Sequence, residues 1–376
     1  MPYSLSSNHG NSVRVNQMIN GVPRTHYKPV TIDLPWVKPR DVTIPLTTVI
    51  EGAIQRVFRR APITNLLLCE KPPTKLVQLV ESGAQTCDVI QAENLWATSA
   101  IHAIGGPPRV ATLHDVYSDR MGELLKYFGA SQNTVCKVLN RVLTLEKKLI
   151  PSLDATVFVS EEDLERYRRL GVEPPNPHII PNGVDTKRFR PLPKNPNMLA
   201  QYGLPVDKKL IMFSGSDMYQ NREAVDYIIG VSKKMRDPQV EFVIAGSVST
   251  YAKAKAKKMG AKIMVLGFVP NLVGVYSLCD AYFAPLRSGT GTKLKILEAM
   301  ASGKPVVTTR EALRGLKVEN ECVVVSGVEE AVDALLELIL DKDKAASLSQ
   351  KARQKAEEYD WGILFPTYFK LYSEIC

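Results

Sequence analysis

Pro285-Leu-Arg-Ser-Gly-Thr-Gly-Thr-Lys-Leu-Lys-Ile-Leu-Glu-Ala-Met-Ala-Ser-Gly-Lys-Pro305 is the stretch on which the fold turns. The run before it, Ala281-Tyr-Phe-Ala284, is short, apolar and aromatic, which reads as a buried strand. A glycine-rich loop, Ser288-Gly-Thr-Gly-Thr292, leads into a predicted helix that begins near Thr292. After the Ser302-Gly303 turn, Pro305-Val-Val-Thr308 reads as the next strand. Strand, helix and strand at this spacing make a βαβ unit and therefore a parallel sheet. Such a loop can present backbone N–H groups at a helix N-terminus, where the dipole also favours anions. Lys293, expected in the first turn, adds a cation for a diphosphate, and the Glu298 carboxylate is suited to accepting two ribose hydroxyls. The plain alternative is an ordinary strand–loop–helix turn with a solvated lysine.

The same alternation extends outward. Cys87-Asp-Val-Ile90, Arg109-Val-Ala-Thr-Leu113 and Ala155-Thr-Val-Phe-Val159 read as buried strands of a first half. Lys209-Leu-Ile-Met-Phe-Ser214, Val240-Glu-Phe-Val-Ile-Ala245 and Ile263-Met-Val-Leu266 read as strands of a second. Ligands of open α/β sheets bind beyond the carboxyl ends of such strands. Arg190-Pro-Leu-Pro-Lys-Asn-Pro-Asn197 reads as a linker between the halves, with a ligand crevice expected between them. Leu335 to Ala356 is strongly helical, and an aromatic-rich helix follows Tyr359-Asp-Trp361.

At 376 residues, two domains are expected. No apolar run is long enough to span a membrane, and the first residues lack the basic-then-apolar pattern of a secretory signal. Cys69, Cys87, Cys136, Cys279, Cys322 and Cys376 are scattered, which suits thiols in a reducing, cytoplasmic compartment. The net charge of +9 calls for an anionic partner: nucleic acid, a membrane face or a phosphorylated substrate. The cluster Lys253, Lys255, Lys257 and Lys258 carries no interleaved aromatic, and Arg56, Arg59 and Arg60 hold only Phe58, short of a platform for stacking bases. Nucleic acid is therefore not expected. Leu124 to Leu149, with Lys126, Lys137, Arg141, Lys147 and Lys148, suits either an anionic leaflet or a packed helix pair.

Leu297-Glu-Ala-Met-Ala301 and Gly303-Lys-Pro-Val-Val307 resemble the C-terminal domain of the retaining family-4, group-1 type glycosyltransferases. Ile180-Pro-Asn-Gly-Val-Asp185 resembles the stretch that closes their N-terminal domain. The resemblance implies a GT-B fold, α/β with two Rossmann-like doubly wound domains facing a central crevice. Residues 1–190 would form the acceptor side and 191–357 the nucleotide-sugar side, with a helix over about 358–376 crossing back to the first domain. Many members have two glutamates eight positions apart; here the second is Glu298, but the first position holds Thr290. This looks like a subgroup in which a basic residue of the loop meets the phosphates.

By the same resemblance, donor contacts fall on Gly215, Ser216 and Arg222, on Ser288, Gly289, Thr290, Gly291 and Thr292, and on backbone at Phe268 and Val269. Arg222 has a second reading, as a partner of surface acids. His114, at the end of the Thr112-Leu-His-Asp115 strand, would act with Lys293 and Glu298 at the reacting sugar, or else be a buried, satisfied histidine. His9, Gly10, Arg14 and Asp115 would lie on the acceptor side.

The implied activity is transfer of a hexosyl unit from a UDP- or GDP-linked sugar to a glycan, lipid-linked or small-molecule acceptor. No cofactor and no metal are expected: the only Asp-x-Asp, Asp341-Lys-Asp343, lies between helices, away from any strand end. Peripheral contact with an anionic inner membrane face is a further expectation. Two rivals share the fold, a sugar-nucleotide 2-epimerase and a non-catalytic basic binding protein.

Overall fold

The computed structural model describes residues 72 and 74–376 apart from Arg236. His9, Gly10 and Arg14, and the Arg56, Arg59 and Arg60 cluster, lie outside the described residues. The chain packs as two units, one ending at Asn182 and regaining Trp361–Cys376, the other Gly183–Asp360.

In the first unit β1 (Ile90–Glu93), β2 (Arg109–Leu113), β3 (Ala155–Phe158) and β4 (Pro177–Ile179) pair in parallel in chain order. Alternate side chains point to opposite faces. Val110, Ala155 and Val157 pack with Tyr368 and Leu371 of the terminal helix, Trp361–Ile375. Leu113 and Phe158 pack on the other face with Val142 and Tyr167.

The helices of this unit are α1 (Thr74–Ala84), α2 (Leu95–His102), α3 (Tyr117–Tyr127), α4 (Gln132–Leu149) and α5 (Glu161–Arg169). Their ends follow local chemistry. Ser131 and Ser160 cap α4 and α5 by accepting from the Thr134 and Asp163 N–H groups at 3.3 and 3.1 Å. Three acids open α5 and three arginines close it, matching the helix dipole. Of the two readings of Leu124 to Leu149, the described contacts are those of a packed pair. Leu125 of α3 and Val135 of α4 are buried in one cluster, while Lys126, Lys137, Arg141, Lys147 and Lys148 are exposed.

In the second unit β5 (Lys209–Ser214), β6 (Val240–Ala245), β7 (Met264–Gly267), β8 (Ala281–Ala284), β9 (Val306–Thr308) and β10 (Val323–Val324) form a parallel sheet. Its order is β10-β9-β8-β5-β6-β7. The chain therefore winds outward from β5 in one direction and from β8 in the other, leaving a switch point between them. The helices are α6 (Pro196–Gln201), α7 (Tyr219–Met235), α8 (Ser249–Met259), α9 (Leu272–Leu278), α10 (Leu294–Ala301), α11 (Val328–Leu340) and α12 (Lys342–Glu358); the terminal helix is α13.

Several elements differ from the sequence expectations. The strand expected at Cys87–Ile90 begins at Ile90, because the polar Gln91 and Glu93 continue the ladder on β2. The two short strands β4 and β10 carry too few residues to show a period. Leu335 to Ala356 is broken at Asp341, whose side chain caps α12 by accepting from the Lys344 N–H at 2.9 Å. The proline-rich 190–197 segment lies inside the second unit, whose edge falls earlier. Val184 bridges to Asp360, and the Asp360 carboxylate accepts from the Thr186 N–H at 3.0 Å and from its hydroxyl. Arg353 Nη1 donates toward the carbonyls of Phe189 and Ala301, at 2.8 and 2.7 Å, so one cation holds this segment against the C-terminal end of α10.

A buried carboxyl marks the first unit. Glu146 Oε1 accepts from the Ser118 N–H at 3.1 Å and from the Tyr167 hydroxyl at 3.0 Å, and Oε2 has no hydrogen-bond partner. Burial, only partly offset by these bonds, pushes its pKa up to about 7. From pH 4.5 to about 7 the folded chain therefore keeps a proton that the unfolded chain releases. This contribution to stability is full below pH 4.5 and falls away as pH rises to about 7. The shift is worth roughly 3 kcal/mol. Glu146→Gln keeps the acceptor without the titration. Urea unfolding across this window is expected to show a falling limb in the wild type that is flattened in the variant; equal slopes would contradict the assignment.

Candidate donor and acceptor sites

The loops at the carboxyl ends of β5 and β8 flank the switch point, and the side chains knit them together. Ser288 Oγ donates to Glu223 at the start of α7. Gly289, at φ +98°, lies so close to Gln220 that an added Cβ would stand 3.1 Å from its Cγ. Lys295 Nζ, on α10, donates to Asn221 Oδ1 at 2.6 Å. Asn221 Nδ2 in turn donates to the Ser216 carbonyl at 2.8 Å. Glycine is required along this rim. A Cβ on Gly215 would come within 2.7 Å of Asn221, and one on Gly246 within 2.3 Å of the Gly215 carbonyl oxygen.

Glu298 lies on α10, half-buried, and its Oε2 accepts from the Tyr276 hydroxyl at 3.3 Å. Burial raises its pKa, while Tyr276 and the cations Lys295 and Arg188 oppose the rise. Tyr276 is fully buried and its hydroxyl also lies 3.4 Å from Ser214 Oγ, so the carboxyl is positioned from the end of β5. Phe268, just past β7, is 68% exposed and offers an aromatic face, whereas Val269 is buried.

Two expected phosphate contacts are placed differently from their sequence reading. Helix α10 starts at Leu294, so Lys293 is its N-cap residue rather than part of its first turn. Its ammonium turns back onto the carbonyls of Gly289, Thr290 and Gly291 at 2.8, 3.0 and 2.6 Å. Three acceptors match its three N–H groups, so Lys293 holds the loop in shape. Arg222 forks onto Asp217, with Nε and Nη2 donating at 2.7 and 2.8 Å, and its guanidinium stacks 5.3 Å from the Tyr251 ring centroid.

In the first unit His114 directly follows β2 and is buried. Its Nε2 meets Glu93 Oε2 at 2.6 Å. Glu93 Oε1 accepts from Gln91 Nε2 at 2.6 Å, and Gln91 Oε1 accepts from the Tyr372 hydroxyl of α13. A chain of hydrogen bonds thus fixes the imidazole from the terminal helix. Asp115 pairs with Arg120 at 3.4 Å.

Glu93, Asn221, Glu223 and Lys295 were not singled out in the sequence. For Lys295 the signal was its place two residues beyond Lys293; for Asn221 and Glu223 it was the polar Asn-Arg-Glu run after the β5 loop. Glu93 carried none, because its partner lies 21 residues away. Among the described residues, no group of three His, Cys, Asp or Glu side chains is placed to hold a metal ion.

Lys293→Met would leave three carbonyls of the loop without their donor. Thermal unfolding is expected to show a loss of about 1–3 kcal/mol, with Lys293→Arg recovering part of it. An unchanged melting profile for the Met variant would show that the ammonium does not hold the loop.

Residues 42–188 match the family model described as Glycosyltransferase Family 4, and residues 208–341 the one described as Glycosyl transferases group 1. A D-inositol 3-phosphate glycosyltransferase of Saccharomonospora viridis is 26% identical over 251 residues, covering 61% of this chain. The chain spans just over half of that relative's length, 57%. Sucrose-phosphate synthase from Thermosynechococcus elongatus is similar in structure, with a TM-score of 0.71 at 16% identity over 97% of this chain and 93% of that one. HepE of Anabaena, solved in complex with UDP and glucose, gives 0.64 at 18% over 80% of this chain and 81% of its own. At these identities the likeness is one of fold, the two parallel-sheet domains of the GT-B glycosyltransferases. With one family model on each unit, the chain belongs to the family-4, group-1 type glycosyltransferases.

Proposed function

We propose that this chain transfers a hexosyl unit from a UDP- or GDP-linked sugar to a hydroxyl of a glycan, lipid-linked or small-molecule acceptor, with retention of configuration and without a metal. The observation that carries this reading is the knitted pair of loops at the β5/β8 switch point, with the Glu298 carboxyl set beside them by Tyr276. Such a rim suits a diphosphate above the loops and a ribose at the carboxylate. As the bond between anomeric carbon and phosphate oxygen breaks, its electron pair passes to the diphosphate. Preorganised donors around that charge lower the barrier. The acceptor hydroxyl attacks from the face the leaving group vacates and gives its proton to the departing phosphate oxygen. His114, oriented by Glu93, holds a sugar hydroxyl on the acceptor side.

The named acceptor of the inositol relative supports a phosphorylated small molecule as the first acceptor to try, and the net charge of +9 suits an anionic one. We place the enzyme in the cytoplasm; a lipid-linked acceptor would bring it to an anionic membrane face. Among the described residues no helix is long and apolar enough to cross a membrane.

The test supplies UDP-glucose, UDP-N-acetylglucosamine and GDP-mannose in turn, with EDTA, and follows nucleoside diphosphate release with and without D-inositol 3-phosphate. One donor is expected to be consumed, with EDTA having no effect and the product keeping the donor's anomeric configuration by NMR. Glu298→Ala and His114→Ala should each lower the rate about 100-fold or more, and Glu93→Gln by less than His114→Ala. Loss of activity in EDTA, an inverted product, or no donor consumed would each contradict the corresponding part of the proposal.

A further inference from the structure

Lys295 ties α10 to the β5 loop, and it lies within the donor site. Its ammonium sits 4.6 Å from the Phe213 ring centroid, near the carboxyl end of β5, and donates to Asn221 Oδ1 at 2.6 Å. The orientation of that amide is fixed, because the Ser216 carbonyl can only accept and so takes Nδ2. An ammonium has three N–H groups, and Asn221 uses one. Of the other basic groups near the loops, Lys293 is engaged on three loop carbonyls and Arg222 on Asp217, while Arg287, exposed just past β8, places its guanidinium 6.0 Å from the Tyr227 ring centroid.

We propose that Lys295 is the cation in the second unit that meets the anionic diphosphate of the donor, steered by Asn221 and carried on α10 beside Glu298. The proposal rests on the donor-site reading above and deepens it. It also gives the Thr290 departure a consequence: in this loop the basic partner of the phosphates comes from the helix, two residues past the lysine that braces the turn.

The surroundings of Lys295 make the contact proton-linked. Burial and the Lys293 cation push its pKa down to about 7, against the pull of Glu298. The other elements at this spot contribute uncharged groups: Asn221 from α7, Phe213 from β5 and the Tyr276 hydroxyl from α9. The amine is therefore poised between neutral and charged near neutral pH, and an arriving diphosphate stabilises the ammonium and draws in a proton. Affinity for the diphosphate then falls as pH rises above about 7, by up to about tenfold per pH unit. A phosphate with a second pKa of about 6 only gains negative charge as pH rises, so a falling affinity belongs to the protein.

The experiment is calorimetric titration of UDP, GDP and ADP, and of the nucleoside matching whichever binds, between pH 7 and 9. It uses the wild type, Lys295→Met, Lys295→Arg and Glu298→Ala. Lys295→Met is expected to weaken the diphosphate about 10- to 100-fold while leaving the nucleoside within about twofold. Lys295→Arg, whose guanidinium does not titrate here, should keep diphosphate binding and lose the pH slope. If Glu298→Ala weakens binding but both Lys295 variants keep wild-type affinity and slope, the Lys295 assignment is overturned and the donor site stands. If the wild type binds none of the three nucleotides, the donor-site reading falls and this proposal with it.

Discussion

The reversal of strand order between β5 and β8 is the constraint on which the second unit depends. Parallel strands wound outward from a common centre send their crossover helices to opposite faces, and the loops at the centre are left with no crossover above them. Those loops still have to be held. Here they are tied by Ser288 to Glu223 and by Lys295 to Asn221, and braced underneath by the Ser214, Tyr276 and Glu298 hydroxyl and carboxyl contacts. The glycines at 215, 246 and 289 are consequences of the same crowding, since a Cβ at the first two would overlap a neighbour and one at Gly289 would press on Gln220 in a strained backbone.

Electrostatics divides labour among the cations that the sequence makes look alike. Lys293 satisfies carbonyls, Arg222 satisfies a carboxylate and Arg353 satisfies the end of α10. Each of these contacts spends a cation's donors inside the protein, so a basic residue's position in a motif does not fix its task. The first unit shows the complementary arrangement. His114 is held by Glu93 through a side-chain chain that ends on the last helix, while Glu146 is kept apart under the start of α3. Burial is what raises the pKa of Glu146.

The long, regular features were legible in the sequence. Lys209–Ser214, Val240–Ala245 and Ala281–Ala284 are strands at the residues read from their apolar runs, because a strand buried on both faces needs apolar residues throughout. The loop at 288–292 and the carboxylate at 298 could be singled out because glycine, lysine and glutamate follow one another closely. Partners distant in sequence could not. Glu93 finds His114 and Asn221 finds Lys295 only once the sheets assemble, 21 and 74 residues apart. The boundary at Asn182 was masked by the prolines that follow it, because the pairing of Val184 with Asp360 outweighs local composition.

Whether the β5/β8 switch point holds the donor is decided by hydrogen exchange of the chain with and without a saturating nucleoside diphosphate. Exchange is expected to slow in two separate segments, 214–223 and 286–298, with the segment after β2 that carries His114 unchanged by the nucleotide alone. Protection confined to the first unit, or spread without regard to the β5 and β8 loops, would contradict the claim that the switch point holds the donor.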